Sequence, residues 1–193
     1  MATAITTEKL KELRLRTGAG IVECRNALQQ AGGDLEKATE ILRAKGLATA
    51  EKKASRTAGE GLVEAYVHTG GKLGAMIEVN CETDFVARTD EFRRLARDLA
   101  MQVTATAPQY VSREEIPPAA VEERRRQLAQ DLAGKPAAAL EGRLEKWFGE
   151  VALLDQPFIK DENRRVKDVI TEAVARIGEN IQIRRFARFR IGE

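Results

Sequence analysis

Two alternating runs, GLVEAYVH (61–68) and KLGAMIEVN (72–80), find their match in pattern only near the far end of the chain, in IQIRRFARFRI (181–191). Thr69-Gly70-Gly71 between the first two is a hairpin signal. A sheet that gains its last strand from the end of the chain forces everything between to fold as one unit, residues 60–193. Period two sets the expected faces. Val63, Ala65 and Val67 share one face of the first strand, and Leu73, Ala75, Ile77 and Val79 share one face of the second. In the third the odd positions Ile181, Ile183, Ala187, Phe189 and Ile191 are apolar, and Arg185 interrupts them.

The segment between the strands changes period. Phe92, Leu95, Ala96, Leu99 and Val103 mark an amphipathic helix opened by Thr89 or Asp90. TATAPQYVSREEIPP (104–118) is a loop in which Ser112 and Glu115 have capping-box spacing. Helices are expected at about 119–133, from Pro136 to about Gly149, and over about 164–177, with ALLDQPFIKDEN (152–163) as a connector. Ahead of the sheet, residues 5–46 read as three short helices. Thr6 caps the first, with Ile5 and Leu10 as a staple, and Gly18 ends it. The second spans about Gly20 to Ala31. Asp34 caps the third and Gly46 is its expected stop. The division is then a bundle over 1–50, a charged linker over 51–59, and a core over 60–193.

Composition narrows the function. The chain has 193 residues, 43% apolar and 32% charged, with 32 basic and 30 acidic side chains. Bulk charge is too balanced to drive nucleic-acid binding, no apolar stretch is long enough to span a bilayer, and the N-terminus lacks a secretory pattern. Cys24 and Cys81 are the two cysteines and stand far apart, as expected of free thiols in a cytosolic protein. His68 is the single histidine. No Cys/His cluster, phosphate loop or catalytic set can be assembled, so no cofactor or metal is expected and a binding protein is favoured over an enzyme.

Three stretches stand out as surfaces. In NCETDFVARTDEF (80–92) the pair Phe85-Val86 sits among charged residues, on a single turn that Thr83 can cap. Either the pair packs over the sheet edge, or Phe85 stands outside as an interface anchor with Asp84 setting register. Ile21 and Val22 are adjacent at a helix start, so one of them faces away from the bundle. IRRFARFR interleaves Arg with Phe, which suits single-stranded nucleic acid or a half-buried strand with a charged face.

Taken together, LRLRTGAGIVECRNAL (13–28), NCETDFVAR (80–88), APQYVSREEIP, LLDQPFIKD and IGENIQIRRF resemble, in order, the blocks of the elongation factor Ts family. Ile21-Val22 stand where methionines are common, and Thr89 where Asn is common. The resemblance implies an α+β fold: a three-helix bundle like a ubiquitin-associated domain, then a core of a three-stranded antiparallel sheet packed with helices. It implies a cytoplasmic guanine nucleotide exchange factor that binds elongation factor Tu and releases GDP. Thr83, Asp84, Phe85 and Val86 would then disturb the GTPase's Mg²⁺ and phosphate site, while Arg14, Ile21 and Val22 grip another helix of the same domain. Longer members carry a second core subdomain, and this chain has room for one. That suggests a homodimer in which a second copy covers the free face of the sheet, with an intersubunit disulfide through Cys81 or Cys24 left open. The competing reading is an RNA-binding translation protein that uses strand 181–191.

Overall fold

A computed structural model describes residues 5–192 of the chain, so the first four residues of the bundle's expected span and Glu193 lie outside the described residues. The bundle comprises α1 (Thr7–Thr17), α2 (Ile21–Gln30) and α3 (Leu35–Lys53). Its local grammar follows the sequence. Thr6 accepts from the Lys9 N–H, Asp34 accepts from the N–H groups of Glu36 and Lys37, and Gly18 closes α1 in the left-handed region at φ 67°. Leu13, Cys24, Ala27, Leu28 and Ala38 form its small buried centre.

The third helix does not stop at Gly46. It runs on to Lys53, through the first residues of the expected linker. Gly46 is buried there because α3 crosses close to α8 (Val166–Ile177), and a Cβ at Gly46 would lie 3.5 Å from that of Ala175. The expected stop is thus corrected: Gly46 serves close packing between helices and not termination. Ala50, one turn further, packs on the main core, and Arg43 pairs with Asp168 of α8 at 3.5 Å. The bundle is therefore fastened to the core by a helix common to both.

The core sheet has order β1-β2-β5, all antiparallel: β1 (Glu60–Val67), β2 (Leu73–Cys81) and, from the end of the chain, β5 (Gln182–Arg190). Gly61 permits the closest approach between β1 and β2, since a Cβ there would meet the Val79 carbonyl oxygen at 2.2 Å. One face is covered by the single turn α4 (Asp84–Ala87) and by α5 (Asp90–Thr106) and α8. Every residue assigned to the inner stripe of α5 is buried. Between α5 and α8 the chain forms short 3-10 turns at Arg113–Glu115 and Leu153–Asp155, an α6 (Pro118–Asp131) and α7 (Ala137–Val151) pair, and a two-stranded sheet. That sheet, β3 (Pro157–Phe158) with β4 (Asp161–Arg165), occupies the expected connector and the start of the expected last helix. Ser112 makes no capping bond, and the Glu115 carboxylate instead accepts from the Val111 N–H at 3.0 Å. Asp155 is buried where these pieces meet, accepting from Arg113 Nε at 2.7 Å and Lys167 Nζ at 3.2 Å. Burial alone would raise its carboxyl, but Arg113 and Lys167 together hold it below the usual carboxylate range.

The β1 residues share a face as expected, and the structure shows which one it is, while the single face expected of the odd positions in β5 is corrected. In β1 the covered face carries Leu62, Glu64 and Tyr66, while Val63, Ala65 and Val67 point to the open face. In β5 the register slips beside Glu78/Val79: Ile183 pairs with Val79 and Arg185 with Glu78, which leaves Arg184 as an extra residue. A bulge of one residue inverts the alternation beyond it. Ile181 and Ile183 are buried, Phe186 is half-buried on the covered face, and Ala187, Phe189 and Ile191 turn outward. The apparent interruption at Arg185 in the odd pattern is the trace of that bulge. The open face thus carries the rows Ala65–Met76–Ala187 and Val67–Gly74–Phe189, with the Glu78–Arg185 ion pair at one end at 2.7 Å.

Candidate partner-binding site

The pair Phe85-Val86 is split between water and core. Thr83 has extended backbone and its Oγ1 accepts from the Val86 N–H at 3.4 Å, which starts α4. The Thr89 hydroxyl donates to the Val86 carbonyl at 2.8 Å and its oxygen accepts from the Phe92 N–H at 3.3 Å, which closes α4 and starts α5. Two caps this close leave room for one turn only. Within it Val86 is 7% exposed and Ala87 is buried beside it, while Phe85 is 81% exposed. Val86, expected among the partner contacts, is thus the foot of the turn inside the core, and Phe85 is its exposed tip.

Asp84 is exposed but not free. Arg88, one turn along, donates to it through Nε at 3.2 Å and through a second, shorter bond from Nη2. Exposed pairs at this spacing are worth only about 0.3–0.5 kcal/mol, so the carboxylate can leave Arg88 for another cation at little cost.

The turn is tied from beneath. The Glu82 and Thr83 N–H groups both donate to Glu179 Oε2 at 3.0 Å, and the Thr83 hydroxyl donates to Glu179 Oε1 at 2.7 Å. In return, Glu82 Oε1 accepts from the Asn180 N–H at 2.6 Å. That bond, with Arg56 at 3.5 Å, keeps the Glu82 carboxyl below the usual carboxylate range. Cys81 lies under the same turn, its Sγ–H donating to the Thr83 carbonyl at 3.2 Å. Burial pushes its thiol up to about 11. Both cysteines are buried and unpaired, so neither presents its sulfur at the surface of the chain.

The bundle surface is simpler. Ile21 and Val22 are both exposed at the start of α2, and Arg14 is exposed on α1. Beside Arg14, Leu15 is 88% exposed, more than any other large apolar side chain among the described residues. Its signal was present in the sequence: Leu13 and Leu15 are two apart, and residues two apart do not share a helix face. Glu179 left no such signal, because its partners lie in a distant turn. The basic-aromatic strand does less than its pattern suggests. Phe186 and Phe189, three apart in the regular part of β5, lie on opposite faces, Arg185 pairs with Glu78, and Arg188 donates to the Thr104 carbonyl at 3.1 Å. A stacking platform needs rings on one side.

A family model described as Elongation factor TS matches residues 36–193. The chain belongs to the elongation factor Ts family. It is 59% identical over 195 aligned residues to the elongation factor Ts of Carboxydothermus hydrogenoformans, covering 98% of this chain and 90% of that one. It is 54% identical to that of Thermodesulfovibrio yellowstonii and 53% to that of Herpetosiphon aurantiacus, each covering 98% of both chains. The elongation factor Ts family places the chain among translation elongation factors. Among the described residues no helix is long and apolar enough to cross a membrane, and no group of His, Cys, Asp and Glu gathers as for a metal ion.

Proposed function

We propose that this chain is a cytoplasmic guanine nucleotide exchange factor that binds elongation factor Tu and promotes release of its GDP. The observation that carries the reading is the Phe85 ring, 81% exposed on a turn rooted by buried Val86 and Ala87 and hydrogen-bonded through Thr83. Such a ring gains about 1.5–3 kcal/mol when a partner buries it. An exchange factor makes no bonds and needs no cofactor. It binds the nucleotide-poor form of its partner more tightly than the GDP form, and GDP weakens its binding by the same factor in return. A change of about 10⁴ in nucleotide affinity needs about 5.5 kcal/mol of such preference. One aromatic anchor can contribute ~2 kcal/mol or more of it.

In this reading Phe85 is the wedge and Asp84 exchanges Arg88 for the partner's Mg²⁺ and phosphate surroundings. Thr83 shapes the turn and Val86 roots it. Arg14, Ile21 and Val22 hold a second surface of the same domain, with Leu15 beside them. Release of labelled GDP from elongation factor Tu tests it. Phe85→Ala is expected to keep the fold and slow release more than tenfold, and a release rate equal to that of the unaltered chain would refute the wedge.

We also propose a homodimer through the open sheet face. Val63, Val67, Met76, Phe189 and Ile191 are all exposed there, an apolar surface where a solvent-facing sheet is normally polar. A second copy would bury both faces at once with two-fold symmetry. Sedimentation equilibrium at micromolar concentration should find a dimer that Phe189→Glu splits. A monomer without the substitution would end this part of the proposal.

A further inference from the structure

The geometry points to Glu179 as the positioning residue of the Phe85 turn, a role that builds on the exchange reading but has its own physical test. Glu179 stands in the connection between α8 and β5, just after Gly178 closes the helix in the left-handed region at φ 86°. All three hydrogen bonds that its carboxylate makes go to the residues immediately before Asp84 and Phe85. Because the Thr83 hydroxyl donates its hydrogen bond to Glu179, the lone pairs of that oxygen are left to cap the Val86 N–H. Without it the hydroxyl can rotate and the cap weakens. Val86 and Ala87 root the turn in the core and Asn180 and Arg56 hold Glu82, while Glu179 bonds both the backbone and the hydroxyl of Thr83, where the turn begins, and so sets the direction in which the Phe85 ring leaves it.

The same connection reaches the bundle. Asn180, buried, donates its side-chain N–H groups to the carbonyls of Arg56 at 2.7 Å and Ala54 at 3.4 Å, just past α3, and its backbone N–H to Glu82. Lys53 Nζ donates to the Gly178 carbonyl. Residues 178–180 therefore join the end of α3 to the base of the wedge. Glu179 acts through Thr83 and, beyond it, Phe85.

The test compares Glu179→Ala and Glu179→Gln in the full chain. The amide oxygen of Gln can still accept both backbone N–H groups, and its NH₂ can donate to the Thr83 oxygen, so this variant should preserve the turn. Alanine removes every bond, and water can satisfy the half-exposed groups left behind, so the fold survives. The expected result for Glu179→Ala is at least tenfold faster amide hydrogen exchange at Thr83 and Val86, with α5 amides unchanged. In GDP release from elongation factor Tu its maximal rate should fall about tenfold, with the half-saturating concentration within twofold, and Glu179→Gln should stay within threefold of the unaltered chain. Combined with Phe85→Ala, the alanine variant should cost nothing further, since positioning acts through the ring. Unchanged amide exchange at Thr83 would overturn the inference whatever the release assay gives, as would full additivity with Phe85→Ala. Failure of the unaltered chain to release GDP would instead sink the exchange reading and leave the amide comparison to decide the role of Glu179.

Discussion

The turn at 83–86 and the bundle surface at 14–22 both hold large apolar side chains in water, but they stand on different foundations. The turn is rooted by Val86 and Ala87 in the main core, beside Phe92, Leu95 and Leu99, and is bonded from below. The bundle surface rests on a cluster built of Leu13, Leu28 and three small residues. A deep core lets one side chain be exposed without moving, and a shallow one supports a broader patch that yields more easily. A wedge needs the first arrangement and a grip tolerates the second.

The comparison can be strained from either side. Phe92→Ala, in the deep core, should destabilise the protein by about 3–5 kcal/mol and loosen the turn with it, as read by denaturant unfolding. Leu28→Ala should cost about 2–5 kcal/mol locally. Hydrogen exchange should then show α1 and α2 losing protection before the sheet does. Equal loss in both regions would mean that the bundle and core unfold as one.

Acid acts on the core connection. Asp155 is held below its unfolded value, near ~3.9, so it binds fewer protons when folded. Its contribution is complete above that value and is lost as pH falls through the lower folded one. The free energy of unfolding, followed from pH 6 to pH 2, should decline below about pH 4, and Asp155→Asn should flatten that part of the curve while lowering stability at neutral pH.

Smaller changes sharpen the contrast at the surfaces. Ile21→Ala with Val22→Ala should leave stability within about 0.5 kcal/mol and raise the factor concentration needed for half-maximal GDP release, with the maximal rate nearly kept. Smallest is Gly46→Ala. Its Cβ meets Ala175 at ordinary contact distance, so removing a helix glycine should be neutral or stabilise by up to about 1 kcal/mol, read as a rise in Tm.

Local rules carried most of the fold. The stripe of α5 and the caps at Thr6, Asp34, Thr83 and Thr89 follow from residues within a few positions of one another. Features set by distant partners did not show. Gly46 looks like a stop until α8 lies against it, and the faces of β1 depend on which side α5 covers. The parity of β5 depends on one extra residue whose mark, Arg185 in an apolar row, has no meaning without the register of β2. At the site, the cap on the turn was legible in Thr83. Which of Phe85 and Val86 faces out was not, because one helical turn is too short to show a period, and a carboxylate bonded to backbone N–H groups leaves no pattern at all.

Helix α3 passes from the bundle to the core without a break, which gives the molecule a fixed gauge. A helix advances 1.5 Å and turns 100° per residue, so one residue inserted near its C-terminal end would swing the gripping surface by about 100° relative to the wedge. Four would nearly restore the heading but lengthen the span by about 6 Å. In the proposed reading the two surfaces would then meet only a target whose own landmarks match that spacing, so the length of a helix would select the partner as much as the side chains do.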